Sequence, residues 1–317
     1  MTKALLGNHN KIKTSKSSKK DAIFFYALII LPVLQFLIFY VYVNFNSILM
    51  SFQKYDSSSA SFVFLNDNIF KNYQGVFQLT NLGLNLGKLI LNSVILWVCM
   101  VVFGTIPAII FSFYIYRKRA LCNFFKFFLF LPSIIPSILL TTVFKGFMID
   151  CISNIMHLFG VTFNTSNGLL DPYSNTAFPI LLIYYIWISF GAQVLFYCNA
   201  MAQTSPSLVE ASQLDGCGES RILLHVVLPG ILPTIKTFII ASIAGLFTNQ
   251  MLLFNFYGTI SNAPNIATIG YFIYSMAAPG PSNYDNYPLM SAFGLICSVL
   301  AISFIFVVNR AFKRFEK

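Results

Sequence analysis

Long apolar stretches separated by short polar connections dominate this chain, and residue-by-residue alternation of the kind that marks strands is rare. Six uncharged runs approach the roughly 20 residues that a helix needs to cross a bilayer: 22–43, 89–116, 127–144, 177–202, 237–257 and 288–308. In lipid the backbone must satisfy its own hydrogen bonds, so these runs predict helices and not irregular chain. Pro32 in the first run, and Pro132 and Pro136 in the third, predict kinks. The expected fold is all-α: a polytopic membrane protein with six transmembrane helices.

One polar island, Ser207 to Pro229, interrupts the apolar text between the fourth and fifth runs. Pro206 suits a first helical position, and Ser207 with Glu210 three residues on reads as a capping box. Leu208, Ala211 and Leu214 then recur at helical spacing, which gives a short helix with one apolar face. Asp215-Gly216-Cys217-Gly218 predicts a sharp reversal, and a second helix is expected from Glu219 to Pro229, with Asp215 available to cap it. Gly230 and Pro233 punctuate the return to the membrane. The whole element, about 204–233, is a helix-turn-helix at a membrane face.

Composition agrees with this pattern. Hydrophobic residues make up 57% of the 317 and charged residues 9%, with a mean hydropathy of +0.73, which excludes an ordinary water-soluble domain. With the Lys-rich amino terminus inside, sixteen of the twenty Lys and Arg fall on the cytoplasmic side, against Lys54, Lys71, Lys88 and Lys145 outside. That asymmetry orients the chain with both termini cytoplasmic, so the net charge of +10 is a topology signal and not a nucleic-acid footprint. Residues 1–21 read as a basic cytoplasmic tail, disordered through Lys11–Lys20, and 22–317 as the transmembrane domain. The first run is too long for a cleaved signal core and is expected to stay as an anchor.

The chemistry that is missing narrows the function. The six cysteines are scattered without a C-x-x-C pair, and His9, His157 and His225 fall in three different connections, so neither a metal site nor a cofactor is expected. The text has no G-x-x-x-x-G-K-[ST] phosphate loop, so the chain is not expected to hydrolyse ATP. All ten acidic residues lie outside the six runs, which leaves no proton relay. A membrane-embedded enzyme would have to use His225 with Asp215 and Glu219, the one cluster of suitable groups. No catalytic residue is assigned.

The residues Glu210, Ala211, Ser212, Asp215, Gly216, Gly218, Leu223, Val226, Leu228 and Pro229 resemble, in identity and spacing, the EAA loop of binding-protein-dependent ABC importer permeases. Ser212, Cys217 and Val226 replace the family's usual Ala, Ala and Ile. Phe70 to Phe77 is similar to the F-x-N-Y-x-x-x-F element of carbohydrate-type permeases, and Phe130 to Pro136 to their F-L-P-x-x-I-P run. Thr259 to Pro264 stands where the first permease of the sugar pair has T-G-G-G-P, without its glycines.

The resemblance implies a permease subunit of an ATP-driven sugar importer in a bacterial inner membrane. Its implied partners are a second homologous permease, two cytoplasmic ATPase subunits, an extracellular solute-binding protein and a sugar or oligosaccharide. It implies that Glu210, Ala211, Ser212, Asp215, Gly216, Leu228 and Pro229 couple the bundle to the ATPases. Glycerol phosphate, a peptide or a modified glycan is the alternative solute, and a structural or receptor role is a further alternative. Polar side chains inside spans are costly unless they face a partner or an aqueous path. On that ground Asn249, Gln250, Tyr184 and Gln193 are the candidates for a substrate path, with helix-helix hydrogen bonding as their other reading.

Overall fold

Among the described residues of the computed structural model, which are 19–78, 85–160 and 167–315, six helices are long and apolar enough to cross a membrane. Most of the basic tail, residues 1–18, lies outside the described residues. The chain divides into two units, Met1–Leu49 and Met50–Lys317. The described part of the first unit is helical, α1 (residues 19–50, its last residue in the second unit), with no buried residue in its crossing segment.

The second unit opens with an antiparallel hairpin, β1 (Gln53–Asp56) and β2 (Ser61–Phe64), in the register Gln53↔Phe64 to Asp56↔Ser61. Helix α2 (Lys71–Phe77) holds it. Asn72 Nδ2 donates to the carbonyls of Ser51 and Gln53, both at 2.8 Å, and the Tyr73 hydroxyl meets Ser51 Oγ at 2.9 Å. The Asn and Tyr of the F-x-N-Y element therefore fix Ser51 and Gln53 at the start of the hairpin.

Helices α3 (Leu86–Tyr116), α4 (Cys122–Ile134), α5 (Ser137–Leu158), α6 (Ala177–Met201), α7 (Pro206–Leu214) and α8 (Glu219–Leu246) follow. The short α9 (Leu253–Tyr257) and α10 (Ile269–Met276) precede the last helix, α11 (Tyr287–Phe315). Four of the helices widen into π-turns. Two of these turns have an evident cause: a proline ring clashes with the carbonyl four residues back, and Pro107 and Pro229 place that clash at Phe103 and His225, inside the wide segments Met100–Thr105 and Leu223–Val227.

Two predicted spans need correction. The third run is not one helix. Ile135 is extended (ψ 135°) and Pro136 begins a new helix, because the residue before a proline is pushed out of the helical region. That new helix continues past Phe144 to Leu158, so Lys145 and Asp150 lie inside α5, not beyond it. The fifth run is displaced. Its helix runs on from Glu219 through Pro229, Gly230 and Pro233 and stops at Leu246, which also places Lys236 within the helix. Residues 247–286 then form a chain of short helices and 3₁₀ turns.

Two apolar clusters organise this unit. The larger gathers Leu89, Leu96, Leu181, Tyr184, Phe256, Tyr271, Phe272 and Phe293, and the smaller gathers Ala108, Phe113, Val194, Tyr197, Met201, Val209, Ile222 and Ile231. Helix α6 contributes to both, its first half to one and its second half to the other. It touches α4 backbone to backbone: a Cβ at Gly191 would sit 1.9 Å from the Leu129 carbonyl oxygen, the small-residue contact typical of helices packed in lipid. Ser112 Oγ adds a hydrogen bond from α3 to the Val194 carbonyl of α6 at 2.8 Å.

Candidate functional site

The polar island folds much as its pattern predicts, with three differences. Ser205, not Ser207, is the N-cap of α7, with Pro206 in the first helical position, so the S-x-x-E pair is not a capping box. Ser205 and Ser207 instead share a hydroxyl contact at 2.7 Å, and Glu210 sits one turn in with its side chain in the open. The second difference is that Gly218 has an ordinary extended backbone and is itself the cap of α8, so Asp215 does not cap that helix. The third is that α8 does not end at Pro229. Leu228 and Pro229 lie inside a helix that continues into the fifth span and makes no angled return.

Gly216 carries the reversal. Its φ of +74° is the left-handed position that closes a helix, and Cys217 N–H donates to the Ser212 carbonyl while Gly216 N–H donates to that of Gln213, both at 3.0 Å. This pair of bonds is a Schellman closure, in which a glycine at the left-handed position avoids the Cβ penalty. Nothing lies within 4 Å of where a Cβ at Gly216 would go, so the constraint there is backbone conformation and not space.

Only one apolar side chain of α7 is buried. Val209, 4% exposed, enters the smaller cluster, whereas Leu208 is 58% and Leu214 89% exposed. Glu210 and Ala211 are also exposed, and Ser212 is half-buried with its hydroxyl returned to the Leu208 carbonyl at 2.7 Å. The outcome is a short helix pinned along one line, with Leu208, Ala211 and Leu214 facing away from the chain's own core.

An ion-pair clamp holds the element from the side. Glu219 accepts from Arg117 through both carboxylate oxygens (Nε–Oε2 3.1 Å, Nη2–Oε1 2.9 Å) and from Arg119 Nη2 at 2.6 Å. These arginines belong to the tight connection between α3 and α4, where Lys118 and Leu121 both take positive φ. The clamp escapes a motif search because its ends are 102 residues apart, although the Arg-Lys-Arg run was a visible signal. Of the cluster an enzyme would need, Glu219 is paired with guanidinium groups and His225 Nδ1 is at 3.3 Å from the Arg221 carbonyl of its own helix.

The four path candidates have different surroundings. Tyr184 is buried, with its hydroxyl on Thr141 Oγ1 at 3.3 Å and its ring stacked on Phe144 at 4.2 Å, so packing accounts for it. Gln193 presses its amide against Gly104, and its Oε1 has no hydrogen-bond partner. Asn249 and Gln250 lie past the end of α8 and not at mid-span. Asn249 Oδ1 accepts from Met251 N–H at 2.9 Å, and the residue lines a cavity of about 190 Å³ with Ser93, Trp97 and Ser242. Gln250 Oε1 is buried without a partner. Buried amide oxygens without a partner cost about 1–3 kcal/mol each, and Gln193 and Gln250 are the two of the four that carry one.

Asn92 and Ser93, not singled out from the sequence, fix the segment that carries Asn249. Asn92 Nδ2 donates to the carbonyls of Asn265 (3.3 Å) and Ala267 (2.9 Å), and Ser93 Oγ accepts from Ile269 N–H at 2.9 Å. A consecutive polar pair inside an apolar run was the signal available.

Residues 100–317 match the family described as binding-protein-dependent transport system inner membrane component. The chain is 25% identical over 218 residues to the arabinooligosaccharides transport system permease protein AraP of Bacillus subtilis, covering 68% of this chain and 66% of that one. It is 23% identical over 253 residues to the maltose/maltodextrin transport system permease protein MalF of Salmonella typhimurium, covering 77% and 45%. The match thus spans just under two thirds of the first relative and under half of the second. In fold the chain is similar to a chain of a bacterial alginate ABC transporter solved with an alginate pentasaccharide-bound periplasmic protein, with a TM-score of 0.71, 20% identity and coverage of 94% and 96%.

Proposed function

Because this chain belongs to the binding-protein-dependent transport system inner membrane component family, we propose that it is the membrane-spanning permease subunit of an ATP-driven sugar importer that works by alternating access. The observation that carries the coupling role is α7: a short helix held by Val209 and a Schellman turn, with Leu208, Ala211 and Leu214 unburied beside the free carboxylate of Glu210. An exposed apolar stripe next to a charge suits a cleft on a separate protein. In this reading the cleft belongs to a cytoplasmic ATPase subunit.

Each of two such subunits would receive the coupling helix of one permease, this chain or a second homologous one. Closure of the ATPases on ATP then moves α7, and the clamp from Glu219 to Arg117 and Arg119 carries the motion to α3 and α4. Both termini are cytoplasmic in this scheme, and an extracellular binding protein delivers the sugar. The sugar class is supported by the relatives AraP and MalF. Glu210, Ala211, Ser212, Asp215 and Gly216 form the coupling element, Leu228 and Pro229 its continuation into the span, and Asn249, Gln250 and Gln193 the polar points of the path.

Attaching a membrane-impermeant maleimide to a Leu214→Cys variant tests the orientation. Labelling above the parent level is expected only after the cells are opened, and labelling of intact cells overturns the scheme. Leu214→Asp is expected to leave the chain inserted while abolishing co-purification of an ATPase. An ATPase that still co-purifies at the parent level removes α7 from the interface.

A further inference from the structure

A polar depression of about 420 Å³ opens beside Lys145, Asp171, Tyr173, Tyr257, Ser261 and Asn262. It lies at the amino-terminal end of α6, because Asp171 and Tyr173 immediately precede Ala177, whereas the coupling helix follows the other end at Met201. At 1.5 Å per residue the 25-residue helix separates the two ends by about 37 Å, a bilayer's width.

The walls are fixed by bonds that leave capacity over. Tyr257 donates its hydroxyl to the Leu170 carbonyl at 2.7 Å, and Asn262 Nδ2 donates to the Tyr257 carbonyl at 2.7 Å. Lys145 Nζ donates to the Phe256 carbonyl at 2.9 Å, and Asp171 Oδ1 accepts from Tyr173 N–H at 3.1 Å. An ammonium has three donors and a carboxylate two oxygens, so Lys145, Asp171 Oδ2, Asn262 Oδ1 and the Ser261 hydroxyl retain hydrogen-bonding capacity toward the depression. Among the described residues the ion pairs are those of Glu219, so Lys145 and Asp171 line the same space without closing on each other. Tyr173 adds an aromatic ring that is 64% exposed.

We infer that this depression is a binding subsite for a neutral saccharide ring, a step before the transport path proper; the inference rests on the proposed role as a sugar permease. Vicinal hydroxyls can accept from Lys145 and donate to Asp171 at once, and the apolar face of a sugar ring suits the Tyr173 ring. The volume lies within the roughly 300–1,000 Å³ of small-molecule sites. The opposite charges of Lys145 and Asp171 leave no net attraction for an anion, and a sugar carboxylate would face Asp171 as a like charge.

The test is titration of the full-length chain in detergent with maltotriose, arabinotriose, xylotriose and trigalacturonate, read by saturation-transfer NMR and calorimetry. At least one neutral trisaccharide is expected to bind, about fivefold or more tighter than trigalacturonate. Tyr173→Ala and Asp171→Asn are each expected to weaken it by roughly fivefold or more, and Asp171→Asn to narrow the gap to the uronate. Binding of no trisaccharide, binding untouched by both variants, or preference for trigalacturonate overturns the subsite. Tyr173 is exposed, so its loss is not expected to unfold the chain, and an unchanged gel-filtration profile checks this. ATPase capture by the same preparations reads the importer proposal separately: loss of sugar binding with capture intact sinks the subsite alone.

Discussion

The polar turn between α6 and α8 and the folded-back stretch between α8 and α11 are both departures from a simple membrane helix, yet they are built by opposite means. The turn closes on itself. Its defining bonds join Ser212 to Cys217 and Gln213 to Gly216, and its constraint is a single left-handed residue. Residues 247–286 add distant partners to their own contacts: Gly270 lies against the backbone of Thr248 and Asn249 within the stretch, while Asn92 and Ser93 of α3 hold 265–269 from outside it. The bonds that close the turn stay within six residues, whereas those at 265–269 stitch the stretch to a neighbouring helix, with which it moves or unfolds.

The largest effect expected from this contrast is at Gly270. A Cβ there would lie 2.4 Å from the Thr248 carbonyl carbon and 2.5 Å from that of Asn249, and backbone atoms cannot rotate away. Gly270→Val is expected to destabilise the bundle by about 3 kcal/mol, seen as a lowered melting temperature and poor recovery in detergent. A melting temperature equal to the parent's would mean that the segment is looser than its contacts imply.

Gly216→Val comes next. Its cost is a left-handed backbone forced on a β-branched residue, about 1–2 kcal/mol, confined to a turn with open space around it. The protein is expected to insert and to melt near the parent temperature while reconstituted transport per ATP collapses. Normal transport at normal protein level would remove Gly216 from coupling and leave the turn as connection only.

Smaller still is the clamp. Glu219→Gln keeps the shape and loses the charge attraction to Arg117 and Arg119, and because Glu219 is 40% exposed the loss in stability is about 1 kcal/mol or less. The expected signature is more ATP hydrolysed per sugar carried, with partial recovery when Arg117→Glu is combined with Glu219→Arg. Parent-like coupling in Glu219→Gln would mean that motion reaches α3 and α4 by packing alone.

The same contrast explains what was legible. Hydropathy gave the number of candidate crossings and the place of four of them, because lipid demands apolar length and little else, and the turn could be read because D-G-x-G and its flanking helical spacing are local. The fifth span was misplaced because Met251 to Tyr257 is as apolar as a true crossing, while Asn92 and Ser93, which hold the folded-back stretch at 265–269, lie over 170 positions from the residues they bind. Pro229 and Pro233 were read as punctuation, and they sit inside a helix because a π-turn absorbs the first of them. The capping box failed by two residues: Ser205 and Ser207 offer the same hydroxyl, and Pro206, suited to the first helical position, selects Ser205 as the cap.

Gly218 gives the smallest and sharpest test of the turn. It shares the D-G-x-G text with Gly216, so a reading based on glycine content alone assigns the two equal weight. Its backbone, however, sits at φ −68° and ψ 159°, where any residue is at ease, and a Cβ there meets nothing within 4 Å. Gly218→Ala is therefore expected to change stability by less than about 0.5 kcal/mol and to leave transport per ATP untouched. If Gly218→Ala instead proved as damaging as Gly216→Val, the left-handed conformation would not be what the turn requires, and close approach of a partner's backbone to both glycines would have to take its place.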